Sequence, residues 1–202
     1  EVKSEALQNS GSSALIDTGE KKLIITCKHV LDHLRESCKN NDRAIIALGL
    51  CGRSINITSY PVVDESKDLD VAILEFPDPD ILEGASKKLH LATHWPPLPP
   101  KLGDDIVAIG FPGVNRMPNE NGEGVTFHTA TLFGSVTSVS DRHVVVADPN
   151  RERKVIEHTN GLNVGGFHAG MSGGPAFTGK DSKHVFIGVV YESSDGPHGT
   201  FC

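Results

Sequence analysis

Apolar positions along this chain fall in short runs rich in Val and Ile, most of them closed by Gly, Pro, Asp or Asn. That is the pattern of many short strands, not of helices. Residues 13–18, 22–28, 44–48, 54–58, 61–64 and 71–76 form a first group of predicted strands. Residues 106–111, 129–139, 143–148, 154–159, 175–178 and 185–191 form a second. Helical spacing is confined to His29–Ser37, with a weaker instance over residues 80–89. The expected class is all-β. Between the groups lies "THWPPLPPKLG", residues 93–103, whose four prolines favour an extended path and forbid a central strand. The chain therefore divides into an N-terminal lobe over residues 1–92, a linker over 93–103 and a C-terminal lobe over 104–202. Residues 115–124, "NRMPNENGEG", read as an exposed loop whose acidic spacing fails the calcium-loop pattern.

Composition narrows the function classes. The 202 residues carry a net charge of -7 and no stripe of Lys and Arg, which argues against a nucleic-acid or anionic-membrane partner. No apolar run is long enough to span a bilayer, and the first residues lack the apolar middle of a signal peptide, so a cytoplasmic protein is expected. Cys27, Cys38, Cys51 and Cys202 are irregularly spaced without a C-x-x-C pair, which points to reduced thiols and to neither a zinc site nor a disulfide frame. The chain begins at Glu1 and not at Met, and an excised part of a larger protein is the expectation. No signal of oligomeric state is legible.

Chemistry concentrates in "FHAGMSGGPAF", residues 167–177, where Ser172 sits among three glycines. "GMSGG" matches G-x-S-x-G, but a hydrolase elbow needs its acid and histidine after the serine, and only 30 residues remain. The bland reading is a glycine turn between strands. Two upstream residues weigh against it. His29 stands in "LIITCKHVL", where an apolar strand gives way to a short helix, and Asp70 in "KDLDVAILEF", at the head of an apolar strand. A serine hydroxyl becomes a useful nucleophile when a positioned imidazole takes its proton and a carboxylate fixes the imidazole's tautomer. Each has a structural alternative: His29 as a helix-starting polar side chain, Asp70 as a turn aspartate with Asp68 competing for the role. His33 and His29 in "HVLDH" also approximate an inverted zinc motif, which a strand running into His29 argues against. The triplet at Asn56 fits a glycosylation acceptor only in a secreted chain.

"ITCKHVL", "LDVAIL" and "GMSGGP" together, in that order, resemble the histidine, aspartate and serine motifs of the trypsin-like, chymotrypsin-fold serine peptidases, in an intracellular or bacterial-type branch. The resemblance implies two six-stranded antiparallel β-barrels with the active site in the cleft between them. It implies His29 as general base and acid, Asp70 as its carboxylate, Ser172 as nucleophile, and the N–H groups of Gly170 and Ser172 as the oxyanion hole. Met171 stands where digestive members carry an activating aspartate, and Val30 where a half-cystine usually follows the histidine. Gly166 stands where a trypsin carries its specificity aspartate, so a preference for basic side chains is not implied. Gly166, Phe167, His168, Tyr191, Glu192 and Ser193 are the expected pocket. The implied activity is a serine endopeptidase on protein or peptide substrates, without cofactor or metal. The rival is a protease-fold binding module, silent or regulated through the glycine-rich stretch 164–170, and a fused or partner regulatory domain would fit either.

Overall fold

A computed structural model of the chain describes residues 10–39, 44–50, 53–83, 85, 87–113, 116–118, 125–147, 170–180, 183–191, 193–194 and 200–201. Strands β1 (Ala14–Asp17) and β2 (Lys22–Cys27) pair as a hairpin, closed by a turn in which the Thr18 side chain and backbone bond Lys21. β2 is buried along nearly its whole length, whereas β1 alternates as a one-faced strand does. Helix α1 (Lys28–Lys39) follows β2 without a loop. Strands β3 (Ala47–Leu50) and β4 (Arg53–Asn56) pair only with each other, and β5 (Val62–Ser66), β6 (Val71–Glu75) and β7 (His90–Leu91) complete a five-stranded sheet ordered β5-β6-β2-β1-β7. Its one parallel contact is β1 with β7.

The second half contains β8 (Asp105–Gly110), β9 (Arg116–Pro118), β10 (Val125–Phe127), β11 (Ala130–Val139), β12 (Val144–Ala147), β13 (Pro175–Lys180), β14 (Lys183–Val189), β15 (Ser193–Ser194) and β16 (Thr200–Phe201). Seven of these make one sheet ordered β14-β13-β8-β11-β12-β16-β15, and β9 pairs with β10 as a separate ribbon. The first half is filled by Ile24, Leu31, Leu48, Ile55, Leu74 and Phe76, the second by Ile106, Ala108, Val136, Val146, Ala176 and Val190. A third cluster joins them, with Ala14, Ile16, Leu23 and Ile25 of the first sheet against Phe186, Phe177 and Val189 of the second. Each aliphatic side chain fully buried there contributes about 1.5–3 kcal/mol to holding the halves together.

Among the described residues the chain is thus mostly β, in two large sheets and two ribbons, with one α-helix at His29 as the spacing predicts but longer. The strand pattern departs from two equal six-stranded units: five and two strands fall in the first half, seven and two in the second, among the described residues. The reason is the two ribbons, each bonded within itself and not to the larger sheets. The third predicted strand, 44–48, lies partly ahead of its ladder, because Ile46 instead donates to the Thr58 hydroxyl and accepts from Ile57 N–H. No α-helix forms among the described residues of 80–89, where Pro79–Leu82 make a single 3-10 turn. Part of the expected loop 115–124 is strand β9, since Arg116–Pro118 ladder with Val125–Phe127. Residues 154–159 lie outside the described residues. No helix among the described residues is long and apolar enough to cross a membrane.

Along the seam, His90 meets Phe177 edge-on at 4.9 Å, and Phe177 in turn meets Phe186 at 6.0 Å and His184 at 6.4 Å. Nε2 of His90 is buried without a hydrogen-bond partner. Burial first, and the neighbouring His184 second, hold the His90 pKa below its ordinary 6.5. The unfolded chain therefore takes up a proton near 6.5 that the folded chain resists, and stability present above pH 6.5 is lost as pH falls below it. The melting temperature is expected to drop between pH 7.5 and pH 5.5, and His90→Leu is expected to flatten that drop. A variant with the wild-type pH slope would remove His90 as the cause.

Candidate active site

The site is organised around the start of α1. The first N–H groups of a helix have no partner within it, and an acceptor must come from elsewhere. α1 has no acidic residue in its first turn. Asp70, in the turn before β6, supplies acceptors for two of these N–H groups: its carbonyl oxygen accepts from Lys28 N–H at 3.0 Å, and its carboxylate Oδ1 from His29 N–H at 2.9 Å. The other carboxylate oxygen, Oδ2, lies 2.5 Å from Nδ1 of the same histidine. A carboxylate only accepts, so Nδ1 carries the proton and the lone pair of the neutral ring is on Nε2. The negative charge is also favoured at a helix N-terminus. His29 is 42% exposed on its side chain, leaving that nitrogen within reach of a substrate.

Asp70 holds this position with φ +50°, the only non-glycine residue at positive φ among the described residues. Aspartate tolerates that region better than most side chains. Asp68, the competitor in sequence, forms no such bond to His29, and Asp70 is the residue that meets it.

Ser172 lies in the turn 171–174, where Gly174 N–H donates to Met171 O at 2.8 Å. Gly173 occupies its third position at φ +87°, as a type II turn requires. A Cβ at 173 would also drive into Ser12 O and Thr26 Oγ1, so the turn sits directly against the end of β2, two residues before His29. Val190, just past β14, clamps both sides: its carbonyl accepts from Gly173 N–H at 2.7 Å and from the Cys27 thiol at 3.2 Å. The Ser172 hydroxyl donates to Tyr191 O at 3.3 Å, and no hydrogen bond joins it to His29 in this arrangement. Gly170 has φ +97°, and a Cβ there would collide with Phe111 O and Gly113 N.

Of the expected pocket, Tyr191 is beside Ser172 and stacks its ring on His143 at 4.9 Å. Ser193 lies in β15. Gly166, Phe167, His168 and Glu192 lie outside the described residues. His33 meets His29 edge-on at 6.2 Å and is not aligned as a zinc partner to it. Cys27, His29 and Asp70 do bring ligand atoms within 4.8 Å of one another. Burial and then the Asp70 charge push the Cys27 thiol pKa up to about 12, so it is a poor source of thiolate at neutral pH. The set suits proton handling better than metal binding. Cys27, Val190, His143 and Ser12 were not singled out from sequence for the site, because each acts through a partner far along the chain.

The family model for a trypsin-like peptidase domain matches residues 11–189. No curated protein matches the chain. Among solved structures, the crystal structure of Deg5 is similar at 19% identity and a TM-score of 0.44, over 90% of this chain and 73% of that one. The serine protease domain of the Sesbania Mosaic Virus polyprotein is similar at 16% identity and a TM-score of 0.46, over 95% of this chain and 87% of that one.

The double role of Asp70 separates two substitutions. Asp70→Asn keeps an oxygen for His29 N–H and a side chain that tolerates positive φ, and is expected to change stability by about 1 kcal/mol or less. Asp70→Ala removes the acceptor and leaves an alanine in the left-handed region, and is expected to cost about 2–3 kcal/mol. Urea midpoints measure both; equal losses would mean that the carboxamide cannot stand in as the helix acceptor.

Proposed function

The chain belongs to the trypsin-like peptidase family, and from that premise we propose that it is a serine endopeptidase acting through His29, Asp70 and Ser172. The observation that carries the reading is the grip of one carboxylate on two nitrogens of His29, which fixes both the place of the imidazole and its tautomer. In the proposed reaction Ser172 Oγ adds to the scissile carbonyl while His29 Nε2 takes its proton. The imidazolium is stabilised by Asp70 and returns the proton to the leaving amine as the acyl–nitrogen bond breaks. Water then repeats the sequence on the acyl-enzyme and frees Ser172. The N–H groups of Gly170 and Ser172 are the proposed donors to the oxyanion, each worth about 3 kcal/mol of barrier. Substrates are proteins or peptides, bound between two lobes divided near residues 93–103, with Gly166, Phe167, His168, Tyr191, Glu192 and Ser193 as the proposed pocket. No cofactor is invoked.

One observation favours a regulated form of the same activity. The Ser172 hydroxyl is turned to Tyr191 O, and Tyr191 is itself held by stacking on His143. For attack that hydroxyl must rotate to His29, so a partner or substrate that shifts Tyr191 would release it.

A fluorophosphonate probe tests the proposal. The wild-type chain is expected to be labelled and Ser172→Ala to be unlabelled. Asp70→Asn is expected to label roughly ten-thousandfold more slowly at neutral pH, because the carboxamide no longer enforces the productive tautomer. Wild-type protein that stays unlabelled, with or without denatured protein added as substrate, would leave the silent binding module as the better account.

A further inference from the structure

Ser12 precedes β1 and is only 3% exposed, yet every polar atom it has is bonded across the molecule. Its N–H donates to Ser172 O at 2.9 Å, and its carbonyl oxygen accepts from the Thr26 hydroxyl at 2.8 Å. Its hydroxyl does two things at once: Oγ–H donates to Gly170 O at 2.8 Å, and Oγ accepts from Phe111 N–H at 2.9 Å. One side chain from the first half thus holds two separate segments of the second half beside the serine.

We propose that Ser12 is a positioning residue that sets the oxyanion loop, tethering Gly170 through its hydroxyl so that the N–H groups of residues 170–172 keep their direction. This rests on the peptidase reading above. A glycine at φ +97° has no Cβ to restrict it, so its orientation has to be imposed from outside. On one side Phe111 and Gly113 crowd it. On the other Ser12 fixes its carbonyl, and with it the next peptide plane. Gly174 N–H fixes the Met171 carbonyl in the same way, and since a trans peptide points its N–H opposite to its C=O, the Ser172 N–H faces away from that turn. Met171, fully buried beneath, anchors the segment but supplies no direction to Gly170. Hydrogen-bond donors act on a developing oxyanion only when aimed beforehand, so a tether that aims them is felt in the rate and not in ground-state binding.

Ser12→Ala removes only the hydroxyl and keeps both backbone bonds. Fluorophosphonate labelling forms a bond from Ser172 Oγ to phosphorus, passes the serine proton to His29 and expels fluoride, with a phosphoryl oxygen where the oxyanion would lie. In Ser12→Ala the limiting labelling rate is expected to fall roughly 10- to 100-fold, with the half-saturating probe concentration within about threefold of wild type. Thr26→Val, which cuts the bond to the Ser12 carbonyl, is the comparator, and is expected to lower the melting temperature with a smaller effect on labelling. Hydrogen exchange supplies a readout independent of activity: in Ser12→Ala the amides of Gly173 and Gly174 should exchange at least tenfold faster, with β13 and β14 unchanged. If the wild type is not labelled at all, the peptidase reading fails while exchange still decides the tether. Unchanged exchange at residues 173–174, or exchange raised evenly over the whole chain, would overturn the proposal, as would a labelling defect no larger than that of Thr26→Val.

Discussion

One carboxylate bonded to two nitrogens of one residue is the constraint on which the site depends. Asp70 accepts from the first two N–H groups of α1 and, by the same geometry, seats the imidazole of His29. Structural and chemical needs coincide here. A helix that starts directly from a buried strand has unpartnered N–H groups, and an acceptor able to satisfy them is already within reach of the ring of its second residue. The strain of a left-handed aspartate, of order 1 kcal/mol, is offset by these bonds.

The halves are held by two kinds of contact with different tasks. The apolar seam of Ile16, Ile25, Phe177 and Phe186 is non-directional and sets how close the sheets come. Hydrogen bonds at its end set orientation. Ser12 reaches from one side and Val190 from the other, and between them they hold the turn 171–174 against β2. Gly173 is small because two polar oxygens already occupy the space its side chain would need. The thiol of Cys27 serves as a buried donor in that clamp, and burial first, with the Asp70 charge second, raises its pKa.

Much of this was legible in the sequence, for reasons that differ by residue. Strands such as Lys22–Cys27 and Val71–Glu75 are apolar, bounded by turn residues and hydrogen-bonded to near neighbours, so their local pattern carries the structure. His29 and Asp70 were found because each stands at the junction of an element with a loop, where chemistry is visible against an apolar background. Residues 80–89 carry helix formers, but a helix of that length is marginal, and among those described only a 3-10 turn forms even though Ile81 and Leu82 pack on the core. Ser12 was illegible because in "NSGSSALI" it looks like any serine of a turn. What distinguishes it is a set of partners 99 and 158 residues away, and no local pattern encodes those.

Those separations have a consequence for the order of events in the life of the molecule. The turn that carries Ser172 is bonded both to Ser12 and to Val190, which lie 178 residues apart, and the Cys27–Val190 bond spans 163 residues. Contacts so distant in sequence form late, after loop-closure entropy has been met by everything between. A ribosome-bound chain that has not yet released Val190 can pair His29 with Asp70, 41 residues away, but cannot anchor the turn of Ser172. Until residues 12, 27 and 190 meet, the turn that carries Ser172 has no partner outside itself, so its shape is settled among the last features of the fold.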